Sequence, residues 1–178
     1  RSDINMLSKD DLKEVDLVIH LAGITTAANS DLLSEGLRKD VFDTVHMINI
    51  CKEAGVKKFI FPSTTSVYGT DEQYMTEESQ VNPQSAYAET KIEIEKIVQD
   101  LCGDSMDYLI LRLGTIFGAS KGMRFHTAVN KFCLQASLGE NLTIWKQSAE
   151  FKRPYLALKD LKKCILFFLG KDDCWNQT

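Results

Sequence analysis

Apolar positions along this chain follow two different periods. "DLVIHLAG" at 16–23 is a near-continuous apolar run with β-branched residues, as a parallel strand covered on both faces requires, and it predicts a strand from Leu17 to Ala22. Leu37, Val41, Val45 and Ile48 then recur at helical spacing up to Gly55, a helix stop. "KFIF" follows as a second strand closed by Pro62. Ser, Thr, Gly, Asp and Asn dominate 63–83 and predict a loop, after which Asn82 as cap and Pro83 as first helical residue open a helix that runs to Gly103. "DYLILRLG" is a third buried strand and "TIFGASKG" a long loop leaving its carboxyl end. Phe125, Ala128, Val129, Phe132, Cys133 and Ala136 share one helix face, with Gly139 beyond its end. "LTIW" reads as a short strand and "RPYLAL" as an extended piece. Leu161, Cys164, Ile165, Phe168 and Leu169 mark a last helix. Strands alternating with helices imply an α/β fold with a doubly wound, mostly parallel, Rossmann-like sheet.

Composition narrows the partners. With 178 residues and 44% hydrophobic content the chain can bury a core, and a net charge of −4 without basic runs gives no footprint for nucleic acid or an anionic membrane. Cys51, Cys102, Cys133, Cys164 and Cys174 are odd in number and never in C-x-x-C spacing, which suggests neither a disulfide framework nor a zinc site and fits a reducing cytoplasm. The apolar run 164–169 is too short to span a bilayer.

The chemistry concentrates in "SAYAETK" at 85–91. Tyr87 and Lys91 are four positions apart, so on a helix they share a face, and a neighbouring ammonium favours phenolate over phenol. Tyr87 then suits general acid or base work at a hydroxyl-bearing carbon. The same spacing also arises from a tyrosine packed at a helix edge beside a solvated lysine, and the surroundings decide between the two.

"DLVIHLAG", "GVKKFIFPSTTSVYG", "NPQSAYAETK", "LRLGTIFG" and "FKRPYLALKDL" together resemble, in order and spacing, the extended short-chain dehydrogenase/reductase family in its NAD-dependent nucleotide-sugar epimerase/dehydratase branch. The resemblance implies that Thr64, Tyr87 and Lys91 are catalytic. It places Asp3, Ile4, Ala22, Gly23, Tyr87 and Lys91 against the cofactor NAD, with NADP left open. Thr65, Thr115, Asn130 and Arg153 fall at positions facing the nucleotide-sugar substrate. Local alternatives accompany several of these residues. Thr64 also reads as a turn hydroxyl, Asp3 as an acidic surface turn, Arg153 as a surface ion-pair residue and Asn130 as a polar residue on a helix face. His20 reads as a packed strand histidine, and no metal site is expected.

Thr65 and Ser66 follow Thr64 where the family's 4,6-dehydratases carry Asp-Glu, and its sugar-acid decarboxylases carry Glu at the Ser66 position, so epimerisation or keto-reduction is the expected reaction. The family's glycine-rich phosphate loop has no counterpart here, and the resemblance begins after the third strand and stops before the C-terminal lobe is complete. The chain therefore reads as a fragment, with 1–122 a partial dinucleotide-binding domain and 123–178 part of a small C-terminal substrate lobe. Such a fragment alone is expected to bind NAD poorly. Asp40 stands where the family commonly has asparagine at the start of its helix, and Ala157 replaces a frequent histidine. A non-catalytic dinucleotide- or partner-binding member of the fold is the second reading. Homodimers through paired helices are common in the family.

Overall fold

The structure is a computed structural model, and it describes residues 3–23, 30–69, 74–144, 146 and 152–178. The chain divides into two compact units, Arg1–Arg112 with Asp173–Thr178, and Leu113–Asp172. The expected division lies at 122/123. The compact boundary falls earlier because Thr115–Phe117 pairs with Tyr155–Ala157, and the last six residues return to the first unit.

The first unit holds β1 (Leu17–Ile19), α1 (Ser30–Ala54), β2 (Lys58–Thr64), α2 (Ala86–Cys102) and β3 (Asp107–Leu113), with the strands ordered β1-β2-β3 in one sheet. β1 and β2 are parallel, with Leu17 opposite Lys58 and Ile19 opposite Ile60. β1 is shorter than the expected Leu17–Ala22, since after His20 donates to the Ile60 carbonyl the backbone turns, Leu21 bonding back to Ile19. β2, by contrast, runs through Pro62 to Thr64. Its ladder to β1 ends at Ile60, so the missing N–H of Pro62 costs no bond on that side. Ile48, Cys51, Phe59, Phe61, Ile94, Val98, Cys102 and Ile110 form the buried core between the sheet and the two helices. α1 and α2 also pack on each other, which is why both carry apolar residues at helical spacing.

α2 starts later than expected. Ser85, not Asn82, is its cap, accepting from the Ala88 N–H at 3.2 Å. Asn82 is committed elsewhere, its N–H bonding the Val67 carbonyl at 2.8 Å. The single turn of 3₁₀ helix Thr65–Tyr68 lies within the stretch expected to be loop, and α2 packs against both it and β2.

In the second unit β4 (Thr115–Phe117) and β5 (Tyr155–Ala157) pair in parallel, where a loop and an unassigned extended piece were expected. α3 (Ala128–Ser137) begins after Phe125, which is exposed; Cys133 and Ala136 are exposed as well. The buried residue of α3 is the polar Asn130, so its inward face is set by hydrogen bonding as much as by the apolar stripe. Leu142–Ile144 form no strand, and Trp145 lies outside the described residues. α4 (Leu158–Leu169) buries Leu161 and half-buries Cys164, Ile165 and Phe168, while Leu169 is exposed. Among the described residues no helix is long and apolar enough to cross a membrane.

Candidate active site

β2 and the first turns of α2 bring the expected catalytic residues onto neighbouring elements. Thr64 is the last residue of β2 and caps the 3₁₀ turn, its Oγ1 accepting from the Ser66 N–H at 3.1 Å and donating to the Ser66 hydroxyl at 3.1 Å. Its hydroxyl is therefore used locally in this conformation. Tyr87 and Lys91 lie in the first two turns of α2, with the Lys91 Nζ 5.7 Å from the centre of the Tyr87 ring and 5.0 Å from that of Phe61. Lys91 is 7% exposed. Burial pulls its ammonium below the ordinary lysine pKa, and the charge of Asp40 opposes that pull.

Asp40, Thr44 and His20 form a bonded group between α1 and the end of β1. Asp40 is buried on α1 and lies in its interior, ten residues beyond Ser30, not at the helix start. Thr44 donates to the Asp40 carbonyl at 2.7 Å. That leaves the Thr44 oxygen to accept from His20 Nε2 at 3.1 Å, which fixes the neutral His20 as the Nε2–H tautomer. His20, read from sequence as a packed strand histidine, lies buried just past β1 with its ring stacked near Phe59 and Phe61.

Of the residues expected at the cofactor, Gly23 has φ +150°, and a Cβ there would lie 3.0 Å from Asp40 Oδ2. No larger residue suits that close passage. Ala22 and Gly23 are exposed and Ile4 packs against the core. The Asp3 carboxylate is held below the usual range by the Asn5 N–H and by Lys39, whose ammonium reaches it at 3.3 Å. Lys39 also bonds Asp43 at 2.6 Å, tying the Asp3 turn to α1.

A network that spacing did not reveal fastens the turn after Thr64. Glu95, one turn beyond Lys91, accepts from Ser63 and from Arg112, whose Nη2 lies 2.7 Å from Oε2. Arg112 also donates to the Tyr68 hydroxyl at 3.0 Å and to the Glu77 carbonyl at 3.3 Å. Burial works against its charge, but Glu95 and Tyr68 outweigh burial and hold the guanidinium above its ordinary pKa. The "STTSVYG" turn, α2 and β3 are thus fastened at one point. Gly69 closes the turn at φ +81°, where a Cβ would come within 2.4 Å of the Asn82 carbonyl oxygen.

The expected substrate residues separate. Thr65 is half-buried in the 3₁₀ turn of the first unit. Thr115, Asn130 and Arg153 belong to the second. There Thr115 is in β4, Arg153 is exposed, and Asn130 accepts from the Gly118 N–H at 3.2 Å while donating to the Arg124 carbonyl at 3.0 Å. The side chain of Asn130 therefore holds the loop preceding α3.

The described residues fit a dinucleotide in part. Gly23 carries no side chain where a Cβ would crowd Asp40, which lets the backbone pass closely, and Lys91 and Tyr87 carry donors suited to ribose hydroxyls.

Known proteins similar to this chain share its family and fold. The chain is 27% identical over 172 residues to an uncharacterised UDP-glucose epimerase, YtcB, of Bacillus subtilis, an alignment covering 94% of this chain and 53% of that protein. It is 30% identical over 185 residues to the dTDP-D-glucose 4,6-dehydratase of Dictyostelium discoideum, covering 92% of this chain and 40% of the relative. The chain thus spans about half the length of such relatives. Among solved structures, MoeE5 in complex with UDP-glucuronic acid and NAD superposes with a TM-score of 0.84 at 27% identity, over 97% of this chain and 58% of MoeE5. The UDP-glucuronic acid 4-epimerase of Bacillus cereus shares the fold, with a TM-score of 0.85 at 24% identity over 98% of this chain and 56% of that one. The model of the NAD dependent epimerase/dehydratase family matches residues 1–176, and the chain belongs to that family.

Proposed function

We propose that the natural protein containing this chain is a nucleotide-sugar epimerase or a closely related reductase, with Tyr87 as the general acid and base. The observation that carries the reading is the pairing in α2 of Tyr87 with a buried Lys91 ammonium, 5.7 Å from the centre of the phenol ring and over the Phe61 ring of β2. A phenol beside a desolvated cation ionises more readily than one in water. Tyr87 takes the proton of a sugar hydroxyl as that carbon gives up hydride, and returns it when hydride comes back to the carbonyl. Bound NAD supplies the acceptor and donor of that hydride. Lys91 holds the charge that favours the phenolate and offers its ammonium to a ribose hydroxyl. Thr64 serves this chemistry by turning its hydroxyl from Ser66 to the reacting oxygen. Asp3 and Ile4 face adenine, and Ala22 and Gly23 let the backbone pass the pyrophosphate.

Epimerisation or keto-reduction is preferred to elimination of water because Thr65 and Ser66 provide no carboxylate beside Thr64. In this reading Thr65, Thr115 and Arg153 face the sugar nucleotide, Arg153 through the planar fork that suits a diphosphate, while the buried Asn130 shapes the loop before α3. The test is Tyr87→Phe in the full-length natural protein, mixed with UDP-, GDP- and dTDP-sugars. Sugar-dependent absorbance of reduced nicotinamide should disappear while NAD binding by calorimetry is kept. Unchanged turnover removes Tyr87 from the reaction.

A second reading, a dinucleotide-binding member without chemistry, rests on the Thr64 hydroxyl being used by the 3₁₀ turn. Silence of the wild-type protein across the same panel would favour it.

A further inference from the structure

Asp3 caps the short 3₁₀ turn Ile4–Met6, and a cap needs only the bond from the Asn5 N–H, made at 3.3 Å. Two further donors reach the same carboxylate, the Asn5 side-chain amide at 3.3 Å and the Lys39 ammonium of α1 at 3.3 Å. One buried carboxylate holds both of them: Asp43 accepts from Asn5 Nδ2 at 2.8 Å through Oδ1 and from Lys39 at 2.6 Å through Oδ2. Among the described residues every bond to the Asp3 carboxylate falls on Oδ1, and the side chain is half exposed. We propose that Lys39 is a positioning residue for Asp3. With Asn5 and Asp43 it pins one carboxylate oxygen and presents the other, Oδ2, as acceptor for the exocyclic amine of adenine, so that Asp3 selects adenine over a purine with a carbonyl there. This rests on the reading that Asp3 faces adenine in the bound dinucleotide.

The four side chains close a ring, and the ring explains more than a surface ion pair would. A carboxylate that turns about its last bond exchanges its two oxygens, and three donors converging on Oδ1 oppose that exchange. Asp43 is bonded at both oxygens and buried, so Asp3 is the carboxylate of this group open to a ligand. Two carboxylates share one ammonium here, which leaves a negative charge for an incoming donor. The Asn5 N–H, then Lys39, hold the Asp3 carboxyl below the usual range, so it carries no proton of its own to donate. The adenine amine is a donor and fits this acceptor, whereas a 6-carbonyl sets acceptor against acceptor.

The experiment measures, by calorimetry on the full-length natural protein, the affinities for NAD and for nicotinamide hypoxanthine dinucleotide, which has a carbonyl in place of the amine. Wild type should prefer NAD by about tenfold. Lys39→Met, at a half-exposed position, should cut that preference by about threefold, and Lys39→Arg should retain it. A Lys39→Met protein whose preference equals that of wild type overturns the proposal, whether its affinity for both dinucleotides is kept or falls in equal proportion. Asp3→Asn should abolish the preference. If Asp3→Asn keeps it, Asp3 does not face adenine, and the reading beneath the proposal falls with it. Binding is read without turnover, so the result is independent of the fate of Tyr87→Phe.

Discussion

His20 shows how a single side chain ties stability to pH. Its ring lies buried near Phe59 and Phe61, donates through Nε2 to Thr44, and feels the Lys91 charge. Burial first and Lys91 second bring its pKa from 6.5 to about 4, while Asp43 pulls weakly the other way. The unfolded chain binds the proton from about pH 6.5 downward and the folded chain only near 4. The contribution of His20 is therefore complete above pH 6.5 and is lost as the pH falls through that window, by roughly 3 kcal/mol in all. His20→Gln keeps a donor toward Thr44 without titrating. Urea unfolding at pH 7 and 4.5 should show a smaller difference for the variant than for wild type; equal differences would assign the pH dependence to another group. An apolar run already marked His20 as a packed residue. Its tautomer was not legible, because Thr44 and Asp40 lie 20 or more positions away on another element.

At the scale of elements, buried polar bonds decide where secondary structure begins and how the site is framed. Asn82-Pro83 has the local chemistry of a helix start, yet the Asn82 N–H is bonded to Val67 and Gly69 packs on its carbonyl, so the helix waits for Ser85. Both partners lie 13 or more positions upstream, outside any local pattern. The spacing of Tyr87 and Lys91 was legible because it lies within one helix. The Ser63–Glu95–Arg112–Tyr68 network was not, because four elements meet there and each residue looks ordinary in its own segment. Glu95 and the Arg112 side chain are 4% and 14% exposed, so removing one partner strands a desolvated charge. Arg112→Leu should cost about 3–5 kcal/mol. Glu95→Leu added to it should recover part of that loss, since no lone carboxylate then remains. Urea denaturation of the two proteins checks this, and a double variant less stable than Arg112→Leu would show that Glu95 is stabilised by partners other than Arg112.

Across the whole molecule, the alternation of strands and helices was legible because the sheet's apolar runs are strong, and the short pairing of β4 with β5 was missed because three residues carry too little pattern. The return of the last residues was missed for a different reason: nothing in "CWNQT" signals a partner, and the partner is some 70 positions earlier. Asn176 donates from its backbone to the Tyr108 carbonyl at 2.7 Å, Ile110 donates to the Gln177 carbonyl at 3.0 Å, and Leu109 bridges Gln177 in parallel. The tail thereby covers the edge of β3 that would otherwise present unpaired backbone groups. Trp175 anchors it, 7% exposed, with the Lys58 ammonium from β2 4.7 Å from its ring centre. Burying an indole is worth several kcal/mol, and an overlying ammonium adds to that. Trp175→Ala should therefore destabilise the first unit by about 3–5 kcal/mol, and Trp175→Phe by less, since the ring and its cation survive in part. Far-UV circular dichroism in urea reads the loss independently of tryptophan fluorescence. A cost below about 1 kcal/mol would mean that the tail rests on β3 without supporting the sheet.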